Sequence, residues 1–296
     1  MPPRKNVFEH KYADVNSIRL HYVTVGKGKL IMFLHGFPEF WYEWKDQLAE
    51  FGRDYQAVAP DMRGYNLSSK PTDVEQYRMK YLVEDIRALV EYLGYKKFIL
   101  VAHDWGAGVA WPFAIRHSDY LEKLIIINGV HPATFTRELR DNPEQQKASQ
   151  YILVHRRPDA EEILARDNYG ALASSLLQDG LKQGYFTEED RKAYIEAWSQ
   201  PGALTGGLNY YRATNLGTFT GESNDVLSAN PSLFTVTAPT LVIWGEKDKY
   251  LVTGNLEGLE KYVPNLTIKR IPDGSHWVIH EKPALVNSYI REFIEG

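Results

Sequence analysis

The stretch Phe98-Ile99-Leu100-Val101-Ala102-His103-Asp104-Trp105-Gly106-Ala107 decides how this chain folds. It opens with an apolar run that shows no alternation, the pattern of a strand buried on both faces. The run stops at a polar pair, and a small, apolar helical stretch, Trp105 to His117, begins at once. So sharp a strand-to-helix turn leaves no room for bulk two positions either side of its apex. Ala102 and Gly106 meet that demand. The apex is Asp104. Its carboxylate should point into a cleft near the positive end of the helix, which favours the ionised form. The plain structural alternative is that Asp104 only caps the helix.

The same grammar repeats along the chain. Leu30–Leu34 leads to His35-Gly36-Phe37-Pro38, and Ala57–Ala59 leads to Pro60-Asp61-Met62-Arg63-Gly64. Leu124–Ile127, Leu241–Trp244 and Leu266–Ile271 are further short apolar runs, each followed by a turn. They read as doubly buried strands of a mainly parallel sheet. Ile18–Thr24 alternates and reads as an antiparallel edge strand. Tyr81–Leu93 gathers Leu82, Ile86, Leu89, Val90 and Leu93 on one helical face, and Ala284–Ile294 reads as a closing helix. The alternation breaks between about residues 132 and 232, where the sequence is helical, aromatic and charged. The expectation is an α/β protein with a mostly parallel eight-stranded sheet. Residues 1–131 and 233–296 form the core, and 132–232 form an inserted helical cap.

An aspartate at the turn has a definite chemical meaning. A carboxylate attacks saturated carbon and leaves an alkyl-enzyme ester, which water must then cleave. His276, in Asp273-Gly-Ser-His-Trp277 after the last strand, is placed to activate that water. The alternatives are an ordinary loop histidine or, with His280 four residues on, half of a zinc pair; the glutamate that should follow the first histidine is missing. Asp248 would orient His276 and stabilise its protonated form, with Glu246 as competitor. The order Asp104, Asp248, His276 is that of nucleophile, acid and base in the α/β-hydrolase fold. The backbone N–H groups of Phe37 and Trp105 could together form an oxyanion hole. Asp61-Met62-Arg63-Gly64-Tyr65 reads as structural.

The chain resembles the epoxide hydrolases of the α/β-hydrolase superfamily over nearly its whole length. The resemblance lies in His35-Gly-Phe-Pro38 with Glu39-Phe-Trp-Tyr-Glu-Trp44, in Arg63-Gly-Tyr-Asn-Leu-Ser-Ser-Lys-Pro71, and in His103-Asp-Trp-Gly-Ala107. It implies that Asp104 opens an epoxide and that water then releases a vicinal diol. It also implies two cap tyrosines that assist the opening oxygen. Leu208-Asn-Tyr-Tyr211-Arg212 carries one of them, Tyr211, with Tyr210 as rival; Ser149-Gln-Tyr151-Ile-Leu-Val carries the other, Tyr151. Trp105, Pro38 and His155 are expected to contact substrate. His155-Arg156-Arg157 departs from the family's aromatic, glutamine-containing run. It reads either as a solvated face or as a pocket feature favouring polar or anionic substrates.

A dehalogenase of the same fold is the nearest rival, since it shares the aspartate and histidine. It would use a halide cradle, for which Trp105 and His155 are candidates, instead of two phenols. A non-catalytic ligand-binding member of the fold is a second rival, but every triad candidate is present. The 296 residues carry a formal net charge of −4, which argues against nucleic acid or an anionic membrane surface. There is no cysteine, so disulfides, thiolate metal sites and cysteine nucleophiles are excluded. Met1-Pro-Pro-Arg-Lys-Asn6 has no apolar core of a signal peptide, and no run is long enough to span a bilayer. A cytoplasmic protein, monomer or homodimer, with no metal or cofactor, is the expectation.

Overall fold

The structure, a computed structural model, describes residues 8–214 and 231–296. The amino-terminal stretch read for a signal peptide lies outside the described residues, as does the end of the 132–232 segment. One sheet of eight strands carries the fold: β1 (Glu9–Val15), β2 (Ile18–Val25), β3 (Leu30–Leu34), β4 (Gln56–Pro60), β5 (Phe98–His103), β6 (Leu121–Ile127), β7 (Thr240–Gly245) and β8 (Leu266–Ile271). Their spatial order is β1-β2-β4-β3-β5-β6-β7-β8. The β1–β2 and β2–β4 pairs are antiparallel and the others parallel.

The central strands are what their sequences require. Every side chain of β3, β5 and β7 is buried. Burying one such Leu, Ile or Val is worth about 1.5–3 kcal/mol, so these strands anchor the core. Two expectations need correction. Ile18–Thr24 is not an edge strand: β1 covers it, and almost all of β2 is buried. Glu9-His-Lys-Tyr-Ala-Asp-Val15 escapes a hydrophobic reading because most of its side chains face water. At the other end β8 is the edge, and of its residues only Ile271 is fully buried. Its adjacent Lys269 and Arg270 are the usual charged protection of an exposed edge.

Helices α1 (Lys45–Phe51), α2 (Met79–Tyr92) and α3 (Asp104–Arg116) follow β3, β4 and β5. Helix α2 buries Leu82, Val83, Ile86, Leu89 and Val90. Between β6 and β7 the chain forms α4 (Pro132–Asp141), α5 (Pro143–Ala148), α6 (Tyr151–His155), α7 (Ala160–Leu176), α8 (Gln178–Gln183), α9 (Glu188–Trp198) and α10 (Ala203–Arg212), with no strand among the described residues. Sequence fixes several of these starts. Asn142 caps α5 through the Glu144 N–H, and Thr187 with Asp190 forms a capping box on α9. Helix α7 breaks at Arg166–Tyr169, where Asp167, Asn168 and Tyr169 take positive φ.

This helical layer is bolted to the sheet by buried polar contacts. Tyr194 donates to Glu39 Oε2 at 2.6 Å, Trp198 Nε1 to the Pro38 carbonyl at 2.6 Å, and Tyr210 to the Arg63 carbonyl at 2.9 Å. Backbone meets backbone at Gly206, where a Cβ would lie 2.1 Å from the Gly64 oxygen. Two helices, α11 (Val278–Glu281) and α12 (Pro283–Glu295), close the chain. No described helix is long and apolar enough to cross a membrane.

Candidate active site

Asp104 is the first residue of α3, directly after β5. Its φ is +48°, a left-handed conformation that aspartate tolerates better than most residues. The elbow is as tight as the sequence implies. A Cβ on Gly106 would lie 2.2 Å from the Leu34 carbonyl oxygen, and one on Gly36 would lie 2.3 Å from Asp104 Oδ1. The turn therefore needs glycine both in the first turn of α3 and on the loop after β3. Its carboxylate keeps 14% of its side-chain surface exposed, and that surface faces a cavity.

The loop after β3 supplies a donor. His35 donates Nδ1–H to the Gly36 carbonyl at 2.9 Å and accepts the Met62 N–H on Nε2 at 3.0 Å, which fixes its tautomer. That brace aims the Phe37 N–H at Asp104 Oδ1, 2.7 Å away. The Trp105 N–H lies in the first turn of α3 and has no partner inside that helix. Burial alone would raise the Asp104 pKa. His276, His103 and the Phe37 N–H outweigh it and hold the carboxyl below its usual range.

His276 lies on the loop between β8 and α11. Its Nδ1 donates to Asp248 Oδ2 at 2.7 Å, and its Nε2 stands 3.5 Å from Asp104 Oδ2, longer than a direct hydrogen bond. Asp248 is saturated: Oδ1 accepts the N–H groups of Tyr250 and Leu251, and Oδ2 accepts Asn128 Nδ2 at 2.8 Å as well as His276. Asn128 is locked in turn by Gly245 through both its amide atoms. Burial pushes the His276 imidazole down, but the Asp248 and Asp104 carboxylates outweigh it and raise its pKa well above the ordinary value. The competitor Glu246 is paired with Arg270 at the surface.

A cavity of about 180 Å³ opens over Asp104 and His276. Tyr151, His155 and Tyr211 line it from α6 and α10, together with Phe37 and Pro38 from the loop after β3. Tyr151 and Tyr211 stand edge to face with ring centres 6.1 Å apart. Burial, and then neighbouring charge or phenol, raises both phenols well above their usual pKa, so each holds its proton at neutral pH. Tyr210 is turned away, fully buried on the Arg63 carbonyl. Trp105 is not among the lining side chains, contrary to expectation. Its indole packs edge-on behind Tyr211, because the first turn of α3 directs it towards α10.

The arginines of the departing run do not reach the cavity. Arg156 donates to the carbonyls of Tyr211 and Thr214, and Arg157 pairs with Asp159 at the surface. His155 does line the cavity, packed on Phe37 and Tyr211, and burial lowers its pKa to about 4, so it is neutral. The zinc pair does not form. His280 Nε2 is bound to Glu39 Oε1 at 2.8 Å, while His276 faces the two aspartates. Glu39, Glu43 and His280 lie within 4.8 Å of one another, yet both Glu39 oxygens are already engaged, by His280 and Tyr194.

Sequence reasoning missed Tyr250, Trp277, Leu164, Leu172 and Ser175, all on the cavity wall. Tyr250 and Trp277 are sequence neighbours of Asp248 and His276, which was an available signal. Nothing local marks the α7 residues, since only packing brings them over Asp104. The role of Asn128 as a brace for Asp248 was also missed.

The family model of the α/β hydrolase fold matches residues 29–283. The AB hydrolase superfamily protein YfhM of Bacillus subtilis is 41% identical over 97% of this chain and 98% of its own. Epoxide hydrolase 2 of Caenorhabditis elegans is 36% identical over 97% of this chain and 80% of its own. A crystal structure of the Bacillus megaterium epoxide hydrolase with an inhibitor superposes with a TM-score of 0.90, at 43% identity, covering 97% of this chain and all of that one.

Proposed function

The chain belongs to the epoxide hydrolases of the α/β-hydrolase fold, and from that premise we propose how its own residues divide the reaction. It opens an epoxide through an aspartyl ester that water hydrolyses to a vicinal diol. In the first step Asp104 Oδ2 attacks an epoxide carbon as the ring C–O bond breaks. Tyr151 and Tyr211 donate to the departing oxygen, one of them surrendering its proton. In the second step His276 takes a proton from water, and the resulting hydroxide adds to the ester carbonyl. Oδ1 becomes the oxyanion, held by the N–H groups of Phe37 and Trp105. Collapse breaks the bond between the carboxyl carbon and the diol oxygen, which takes the proton that His276 drew from water; the tyrosinate of the first step is reprotonated from solvent, and the diol is freed. Asp248 holds His276 in its Nδ1–H tautomer throughout.

The observation that carries this reading is one cavity with a carboxylate, a histidine and two protonated phenols on its wall. The two phenols favour an epoxide oxygen over a halide as leaving group. Charge sets the order of events. While Asp104 is ionised it helps keep His276 protonated; esterification removes that charge and lowers the imidazole pKa, freeing a base for the water step.

Pro38 and His155 are read as substrate contacts, and Trp105 as support for Tyr211. Residues 1–131 and 233–296 are read as the catalytic core and 132–232 as the cap. Apart from the catalytic groups the walls carry only uncharged side chains, the polar ones being Ser175, Tyr250, Trp277 and a neutral His155, which suits an uncharged epoxide. A cytoplasmic location and a monomer or homodimer belong to the same reading and are checked by cell fractionation and light scattering. The chemical test is a single turnover of styrene oxide in heavy-oxygen water. The label should enter Asp104 and not the first diol; label in that diol would mean direct attack by water and overturn the scheme.

A further inference from the structure

Behind the catalytic loop lies a buried acid–imidazole pair that the mechanism above does not use. Glu43 sits in the single turn Trp41–Trp44, and His103 is the last residue of β5, next to Asp104. Glu43 Oε1 is 2.5 Å from His103 Nδ1, and His103 Nε2 is 2.9 Å from the backbone carbonyl oxygen of His276. Both side chains are wholly buried. Glu43 Oε2 is buried with no hydrogen-bond partner.

Hydrogen-bond chemistry restricts the protonation of this chain of contacts. A carbonyl oxygen only accepts, so His103 Nε2 must carry a proton and donate. His103 Nδ1 then has two options. It accepts from a protonated Glu43, or it carries a second proton and faces a carboxylate. The second option buries an ion pair with one carboxylate oxygen unsatisfied, which is the costly arrangement. It also adds a negative charge beside Glu39, which lies within 4.8 Å, and near Asp104. The cations facing the pair, His280 and His276, are already matched to Glu39 and to Asp248. Burial and then Glu39 raise the Glu43 carboxyl well above its ordinary range, and burial and then His276 lower His103 to about 3, in agreement with a neutral pair.

We infer that Glu43 is a positioning residue held as a neutral acid, which donates to His103 and fixes the tautomer that grips the backbone of His276. The two hydrogen bonds tie the loop of the base to β5, the strand that carries the nucleophile. They set the 3.5 Å separation of His276 Nε2 from Asp104 Oδ2, in which the water step takes place. The inference rests on His276 being the base of ester hydrolysis, and it adds a residue that touches neither substrate nor water.

Glu43→Gln and Glu43→Met separate the possibilities. An amide N–H can donate to Nδ1 as the acid does; a thioether cannot. Rapid-quench single turnovers with intact-mass detection of the ester should show ester formation unaffected in both. Ester breakdown should stay near the parent rate in Glu43→Gln and fall about tenfold in Glu43→Met, the loss of one buried hydrogen bond. If Glu43→Gln is slowed as much as Glu43→Met, Glu43 acts as a carboxylate and the inference is wrong. If neither changes breakdown, Glu43 has no positioning role. Imidazole nitrogen chemical shifts of His103 in the parent protein give an answer that needs no folded variant. A neutral Nε2–H tautomer is expected, and an imidazolium signature overturns the proposal. His276→Asn is the control for the underlying mechanism: failure of that variant to trap the ester refutes the base, whatever Glu43 does.

Discussion

Replacing Asp248 by asparagine should separate the two half-reactions. In the parent, Asp248 Oδ2 accepts two donors, His276 Nδ1–H and Asn128 Nδ2–H, while Oδ1 accepts two backbone N–H groups. An amide has one acceptor end and one donor end. With its NH₂ at the Oδ2 position it meets two donors; turned over, it meets the N–H groups of Tyr250 and Leu251. Either way two charge-assisted hydrogen bonds are lost. At about 1.5–3 kcal/mol each, the cost is roughly 3–6 kcal/mol, or 10²–10⁴ in rate if it falls wholly on one step. It should fall on ester hydrolysis, because only that step needs His276 as a base with Nδ1 protonated. Rapid-quench mass spectrometry should therefore show the ester forming at a near-normal rate and then persisting. If Asp248→Asn lost less than about tenfold in turnover and accumulated no ester, the role of Asp248 as orienter would be refuted.

The phenols should fail in the opposite half. Tyr151→Phe and Tyr211→Phe each remove a donor to the developing alkoxide, so ester formation should slow by about 10–100-fold with hydrolysis unchanged; unchanged alkylation in both would return the halide reading to favour. The pH profile of ester breakdown should report an imidazole pKa lower than the one that NMR titration finds for His276 in the free enzyme, because Asp104 has lost its charge in the ester. Equal values would contradict the gating of the base by that charge. A Gly36→Ala substitution should abolish alkylation without unfolding the chain, since its Cβ would sit 2.3 Å from Asp104 Oδ1; circular dichroism and active-site titration check both parts. Arg156 and Arg157 are committed elsewhere, so an epoxide bearing a carboxylate should be hydrolysed far more slowly than its methyl ester in paired kcat/KM measurements.

Short-range sequence determined much of this protein. The unbroken apolar run before His103, the small residues Ala102 and Gly106, and the polar apex between them specify a buried strand, a tight elbow and Asp104 as its tip, because those constraints are steric and local. The order of Asp248 and His276 after later strands followed from the same grammar. Edges were less legible: β1 exposes most of its side chains and β8 buries only Ile271, and an apolar count passes over the first and overstates the burial of the second.

What only the tertiary structure decided were the choices between chemically equal neighbours. Tyr210 and Tyr211 are adjacent phenols on α10, separated by about 100° of helical rotation, and only the packing of that helix on Gly64 turns one to the Arg63 carbonyl and the other to the cavity. Asp248 prevails over Glu246 because Asn128, 120 residues away in sequence and just past the end of the neighbouring strand β6, completes its hydrogen bonds. Leu164, Leu172 and Ser175 share a cavity with Asp104 only because tertiary packing brings α7 to its wall. Glu43 and His103 are 60 residues apart in sequence, and nothing in either motif says which atom holds the proton they share. Local sterics and periodicity are written in neighbouring residues. Which polar groups are left to satisfy one another in the interior is settled only when distant elements pack.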